Sequence, residues 1–347
     1  MVTAVSGNKR ILWLFIVLLL LGAVWWFWKQ STGRAAVELP DDARISIKIE
    51  RLDLDLKKTD SIDALRVQEL KQAYGEIFKA YVENAVALSG VNDPELYVEL
   101  NNFLRDPYID TLFRDVAARF SDLSAFEQEL SSALSYYYYF FPKAGRVRVA
   151  SMISGFQYKH ALSDSGLLLG LDLHLGRAYA FYPKVSYLTE YMLPRLEPGH
   201  LVADGIKLMV DDLVPPAEGN QLLDEMVRAG KILYITKSCM PELADSILLG
   251  FTSKQTSWAF DSERSMWEYL IAQNLLFSSD VKVISRMMND GPFTAGLPDG
   301  SPARMATFSG WRMVHRFMDK NKEVSLEQLL ATPSAEILKN SGYKGKS

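Results

Sequence analysis

Two kinds of hydrophobic periodicity divide the chain. Residues 45–56, ISIKIERLDLDL, alternate apolar and polar side chains with a period of two, which is typical of a half-buried strand. From Ser61 onward apolar residues recur at helical spacing, and prolines predict the starts of helices at about 94–104 and 107–119. This order predicts an α+β fold, mostly helical with a small sheet formed early.

The same two periods predict the remaining elements. Segments 147–155 and 167–176 are predicted strands that pair with 45–56. Predicted helices cover 122–141, 186–196, 200–212, 220–236, 263–277, 281–289 and 302–319, with two short helices at the end. The sequence has neither βαβ alternation nor a glycine-rich phosphate loop, which argues against a nucleotide-binding fold.

An uncharged apolar run, ILWLFIVLLLLGAVWWFW, occupies residues 11–28. As a helix at ~1.5 Å per residue it is about 27 Å long, close to the thickness of a bilayer core. Its tryptophan-rich end fits a membrane interface better than a cleavage site, and a cleaved signal peptide is the alternative. We therefore predict a cytoplasmic N-terminus at 1–10, a transmembrane signal-anchor at 11–28, a linker at 29–43 and a periplasmic domain at 44–347.

Charge and cysteine content narrow the classes of function. Residues 1–35 contain four basic and no acidic residues, so residues 36–347 carry 34 basic and 42 acidic ones, a net charge of −8. Such a surface repels phosphate backbones and disfavours nucleic-acid binding. The single cysteine, Cys239, excludes an intramolecular disulfide and a cysteine-based zinc site, and we expect it to be buried.

Two pairs of residues are candidates for chemistry, although no HExxH motif is present. Asp172 and His174 are predicted to share one face of the strand GLDLHLG, where the carboxylate could polarise the imidazole. His200 and Asp204 lie four residues apart on one helical face, but Leu201 stands where a metalloprotease has its general base. For both pairs the alternative is a structural role, as polar rim or helix cap.

Three other features have a binding and a packing interpretation. The turn-rich segment 288–305, MNDGPFTAGLPDGSPARM, offers Asp290 and Arg304 as a binding surface, and a packed connection is the alternative. The aromatic run 136–141 is assigned to the core, with a carbohydrate or peptide platform as the alternative. Gly230 interrupts a predicted helix at a cost of roughly 1 kcal/mol relative to alanine, which indicates close packing against a neighbour.

Six stretches of the chain together carry a resemblance. They are IERLDLDL near the start, NFLRDPYIDTLFRDV at 102–116, YYYYFFP at 136–142, ISGFQYKHALSDSGLLLGLDLHLG at 153–176, LLDEMVRAGKILY at 222–234, and NDGPFTAGLPDGSPARM followed by GWRMVHRFM at 289–318. Taken in order, from about residue 44 to 340, they resemble the GldB family of gliding-motility lipoproteins. The resemblance implies a cell-envelope protein linked to type IX secretion, with other envelope or gliding proteins as partners.

The family is similar, more distantly, to zincin-type metallopeptidases. In those enzymes a strand lies over an HExxH helix, and a glutamate before a glycine of a later helix is the third zinc ligand. Here the residue before Gly230 is Ala229, and HExxH is absent. The resemblance therefore implies a zincin-like pseudoenzyme without catalytic residues, metal or cofactor. Its possible binding surface comprises Asp172, His174, His200, Asp204, Asp290 and Arg304.

One departure from the family concerns attachment to the envelope. No cysteine follows the apolar run, so no residue there can carry a lipid. We expect the transmembrane helix to replace the lipid, which predicts a single-pass inner-membrane protein with its main domain in the periplasm. The alternative function is a periplasmic hydrolase with an atypical site.

Overall fold

The computed structural model describes residues 37–164, 166–298 and 300–346. The predicted anchor at 11–28 and the first part of the linker lie outside the described residues. Within those ranges, no helix is both long and apolar enough to cross a bilayer. This part of the chain is mostly helical with one four-stranded sheet, which confirms the α+β prediction.

The sheet has the strand order β1-β2-β4-β3. Its strands are β1 Ile49–Glu50, β2 Arg148–Met152, β3 His160–Ser163 and β4 Gly166–Gly170. β1, β2 and β4 are parallel, and β3 is antiparallel to β4. All of β4 is buried because helices pack on both of its faces, which explains its continuous apolar run.

The helices surround this sheet. Those before β2 are α1 Leu52–Leu56, α2 Ala64–Tyr74, α3 Glu76–Ala80 with the π-helical turn Tyr81–Ala85, α4 Leu96–Arg105, α5 Pro107–Arg119 and α6 Ser124–Phe140. Those after β4 are α7 Leu201–Leu213, α8 Leu222–Cys239, α9 Asp245–Leu249, α10 Ser253–Asp261, α11 Glu263–Ala272, α12 Val281–Met288, α13 Met305–Lys320, α14 Leu326–Ala331 and α15 Ser334–Ser341. α5 begins as the sequence predicts, because Asp106 caps it and Pro107 occupies its first position.

Two helices cross at a pair of glycines. A Cβ atom on Gly230 of α8 would overlap the carbonyl oxygen of Gly310 in α13, and one on Gly310 would overlap the carbonyl oxygen of Met226. Neither position accepts a side chain, because the two backbones are in direct contact. The prediction that Gly230 marks close packing is confirmed.

A strand was predicted at 45–56, and this prediction is wrong except at its centre. Only Ile49–Glu50 pairs in the sheet, and Leu52–Leu56 forms α1, because Leu52 and Leu56 are four residues apart and both face the core. Before β1 the chain bonds to a helix and not to a strand. The backbone N–H groups of Ile45, Ile47 and Ile49 donate to the side chains of Ser135, Ser131 and Glu127 on α6.

Several other predicted elements end earlier than expected, and one predicted helix is absent. The strand at 167–176 ends at Gly170, and no strand was predicted at His160–Ser163. Instead of a helix at 186–196 there is only the 3-10 turn Leu193–Arg195, which contains Pro194. The helix at 263–277 ends at Ala272, just before Asn274, whose φ is 53°.

The aromatic run and the cysteine lie largely as predicted. Tyr137, Tyr138 and Phe141 are buried, whereas Tyr139 is 44% exposed. Cys239 is fully buried, and burial raises the pKa of its thiol. Both observations favour packing over chemistry at these positions.

Candidate functional site

A cavity of about 600 Å³ opens between the start of β3, helices α7 and α8, and the N-terminus of α13. Lys159, the residue before β3, and His160, the first residue of β3, line the cavity together with Asp204 and Lys207 of α7. Ala229 of α8 also lines the cavity. The cavity thus includes Asp204 and Ala229, two of the positions that the sequence singled out.

Two glycines bring these elements together. A Cβ atom on Gly205 of α7 would lie 2.8 Å from Cδ2 of Leu169 in β4, so α7 needs a glycine to approach the sheet this closely. A Cβ atom on Gly170 would overlap the carbonyl oxygen of Lys159. As a result, Asp204, next to Gly205, reaches the sheet at the point where β3 begins.

His160, His174 and Asp204 form a cluster with the spacing of a metal site. One potential ligand atom from each residue lies within 4.8 Å of the others. The two imidazole rings are stacked, with centroids 5.1 Å apart. Nδ1 of His174 donates to the carbonyl oxygen of Gly170 at 2.7 Å, and its buried Nε2 lies 3.9 Å from Oδ2 of Asp204.

Lysine ammonium groups already compensate the charge of Asp204. Nζ of Lys159 lies 2.9 Å from Oδ2, and Nζ of Lys207 lies 3.5 Å from Oδ1. Although burial alone would raise it, these two cations hold the pKa of Asp204 well below its usual range. Burial lowers the pKa of both His160 and His174, so both rings are neutral at pH 7.

The residues present fit a zinc ion poorly. A metal at Asp204 would have to displace Lys159 and would sit next to Lys207. Leu201, beside Asp204 on α7, is buried and apolar, and Ala229, which lines the cavity, has no oxygen that could bind a metal. The cluster keeps metal-like spacing, but lysine supplies the positive charge.

A second group of charged side chains also lines the cavity. Arg195, from the turn before α7, and Arg304, at the N-terminus of α13, share the carboxylate of Asp290. A Cβ atom on Gly250 would lie 2.8 Å from Cδ of Arg195 and 3.2 Å from Nη2 of Arg304, so this glycine lets both arginine side chains pack side by side. Burial and the neighbouring Arg195 lower the pKa of Arg304.

Three of the predicted site residues meet in this cavity, and three do not. Asp204, Asp290 and Arg304 line it. His174 lies behind Asp204 and is fully buried. His200 is buried at the start of α7, outside the lining, where burial lowers its pKa to about 4.

The predicted position of Asp172 and His174 on the exposed face of a strand is wrong. Both lie in the 3-10 turn Asp172–His174, because β4 ends at Gly170, and neither is exposed. Asp172 accepts hydrogen bonds from the backbone N–H groups of Ser154, at 3.0 Å, and Phe156, at 2.7 Å. It therefore does not belong to a binding surface.

Sequence reasoning missed most of the basic residues of the cavity, namely Lys159, Arg195, Lys207 and Arg228, together with His160. Lys207 follows Asp204 by three residues on one helix, and this spacing could have revealed their pairing. Lys159 and His160 lie at the start of β3, which the sequence did not predict, and Arg195 lies in a turn for which a helix was predicted. No local pattern in the sequence connects them with Asp204.

Comparison with known proteins gives one match. A family model described as "Gliding motility protein GldB" covers residues 34–345. The comparisons with curated proteins and with solved structures returned no significant match.

Proposed function

The chain belongs to the GldB family of gliding motility proteins, and we propose that it serves the envelope machinery of gliding by binding, without catalysis. Family membership associates it with the cell envelope and, in general terms, with partners of the gliding machinery. The proposal adds a link to type IX secretion, an inner-membrane anchor at 11–28 and a domain that faces the periplasm.

The pairing of Asp204 with two lysines carries the proposal. A metallohydrolase needs a cation with an open position for water and a general base beside it. Here Lys159 lies 2.9 Å from the candidate ligand oxygen, and Leu201 and Ala229 have no group that could act as base or ligand. An arrangement of this kind favours a cavity that holds a ligand over one that activates water.

Metal content and hydrolysis test the proposal together. The full chain, extracted in detergent and purified, is analysed for zinc and incubated with a peptide mixture. We expect substoichiometric zinc and no cleavage. Stoichiometric zinc together with peptide cleavage, both lost in His174→Gln, would overturn the non-catalytic role.

The alternative is a hydrolase with an atypical site, and one observation favours it. One potential ligand atom from each of His160, His174 and Asp204 lies within 4.8 Å of the others. If added zinc produces peptide cleavage by the native chain but not by His174→Gln, the alternative is correct. Arg264→Gln, in an exposed ion pair with Glu268, is the control for a nonspecific effect of substitution.

The spreading of cells on a surface tests the proposed role in the cell envelope. We expect a strain that lacks the protein to lose surface spreading, and the native chain to restore it. His200→Ala should restore it as well, because His200 lies outside the cavity lining. Failure of the native chain to affect spreading or protein export would contradict the proposed role.

A further inference from the structure

The lining of the cavity has a net positive charge, whereas the domain around it has a net negative charge. Its lining contains five basic side chains, Lys159, Arg195, Lys207, Arg228 and Arg304, and three carboxylates, Asp204, Asp211 and Asp290. The lining therefore has a net charge of +2, within a domain whose net charge is −8. A concave surface with excess positive charge attracts anions.

The three carboxylates neutralise only part of the positive charge of the five basic side chains. Asp211 pairs with Arg228 at 2.7 Å, and Asp204 is shared by two lysines. Asp290 is shared by Arg195 and Arg304, which leaves one positive charge of this pair without a carboxylate. Nε of Arg304 is buried, lies 3.6 Å from the nearest oxygen of Asp290 and has no hydrogen-bond partner.

The position of Arg304 is unusual for its backbone. Its φ is 59° and its ψ is 33°, a left-handed conformation that non-glycine residues adopt uncommonly. Residues held in such conformations are concentrated at ligand sites. Nη2 of Arg304 donates to the carbonyl oxygen of Leu249 at 2.9 Å, which fixes the guanidinium group beside Arg195.

The remaining wall is apolar. Leu196, Leu208, Ile232 and Leu233 line the cavity together with Ala229. The volume, about 600 Å³, lies within the range of pockets that enclose small organic molecules. A strongly hydrated inorganic anion would leave this wall without a contact, whereas an anion with an apolar body would cover it.

We propose that the cavity binds the carboxylate of an apolar organic acid, with Arg195 and Arg304 as the carboxylate-binding pair and the leucine-rich wall as the seat of its apolar body. This inference rests on the proposed non-catalytic role of the same cavity. The planar guanidinium forks match a carboxylate in geometry. Both the free carboxyl end of an apolar peptide and a free branched-chain acid have this chemistry.

Calorimetric titration of the full chain tests the inference with four probes. N-acetyl-leucyl-leucine has the free carboxylate, and its C-terminal amide lacks the charge. 4-Methylpentanoate represents the free acid, and inorganic phosphate represents an anion without an apolar body. We expect the amide and phosphate to bind at least tenfold more weakly than the better of the two carboxylates, and the relative affinity of the carboxylates identifies the source.

Substitutions of the two arginines show whether the carboxylate binds in this cavity. Arg195→Gln and Arg304→Gln should each weaken binding of the dipeptide at least tenfold, with the thermal midpoint confirming that each variant is folded. Two variants are used because the backbone conformation of Arg304 is strained, whereas Arg195 lies in a short turn. The matched control is Arg264→Gln, an exposed arginine paired with Glu268, which should bind as the native chain does.

Several results would overturn the inference. They are the absence of binding by either carboxylate at millimolar concentration, equal or tighter binding of phosphate or the amide, and unchanged affinity in both folded arginine variants. Cleavage of the acetylated dipeptide during the titration would instead overturn the non-catalytic role. Failure of the inference and failure of the proposed function are thus distinguishable.

Discussion

Asp172 is a buried carboxylate whose role is to hold a turn. It accepts the backbone N–H groups of Ser154 and Phe156, on either side of Gly155. Gly155 and Phe156 both have φ of 69°, so the carboxylate stabilises two successive left-handed residues. Burial raises the pKa of Asp172 to about 6 in spite of these bonds.

Asp172→Asn tests this assignment through pH. A carboxyl group with a pKa of about 6 when folded and ~3.9 when unfolded stabilises the fold below about pH 4, and the contribution is lost as pH rises through about 6. Relative to the variant, the native free energy of unfolding should fall by about 2–3 kcal/mol between pH 4 and pH 7. Denaturant titrations at both pH values measure this. A difference that is independent of pH would contradict the assignment.

Lys159→Met should turn the histidine cluster into a better zinc site. The substitution removes the ammonium group 2.9 Å from Asp204 and leaves His160 and His174 in place. Zinc affinity, measured by calorimetry, should rise about tenfold, or about 1.4 kcal/mol. Lys48→Met is the control, because Lys48 forms a lysine–carboxylate pair with Glu127 outside the cluster and its side chain is 79% exposed. Equal affinities in the native chain and both variants would contradict the role given to Lys159.

At the scale of elements, the crossing of α8 and α13 depends on Gly230 and Gly310. Gly230→Ala would press a methyl group into the backbone of α13, which cannot move without disturbing the core. We expect a loss of about 1–3 kcal/mol in the free energy of unfolding. Gly145→Ala, where a Cβ atom meets nothing within 4 Å, should change it by no more than about 0.5 kcal/mol. Thermal and denaturant unfolding provide the measurement, and equal stabilities of the two variants would contradict the packing account.

Elements with local signals could be predicted from the sequence, and those with nonlocal partners could not. α5 was placed correctly because Asp106 and Pro107 define its start within the chain itself. The segment 45–56 was predicted as a strand because LDLDL fits the period of a strand as well as that of a helix. It is helical because Leu52 and Leu56 then both pack in the core. Within the site, the spacings of His200, Asp204 and Lys207 along one helix are visible in the sequence. The other cation beside Asp204, Lys159, immediately precedes β3, a strand that has no local signal in the sequence.

At the scale of the whole molecule, attachment to the membrane is a separate prediction. The apolar run at 11–28 ends in tryptophans and not in small residues, so the mature chain should retain Met1 to Trp28. Detergent should then be needed to extract it, and N-terminal sequencing should begin at or near Met1. Recovery of a soluble species that begins near Ala36 would contradict the anchor.

The bonds between α6 and the segment before β1 also bear on aggregation. Among the residues that the structure describes, β1 is an edge strand that pairs with β2, about 100 residues later in the chain, as the ion pair of Glu50 and Arg148 shows. An unpaired edge of this kind is a template for association with other chains. The backbone N–H groups of the segment donate hydrogen bonds to Ser131, Ser135 and Glu127 of α6. The ribosome synthesises α6 before β2. A nascent chain can therefore shield its first strand before the sheet exists.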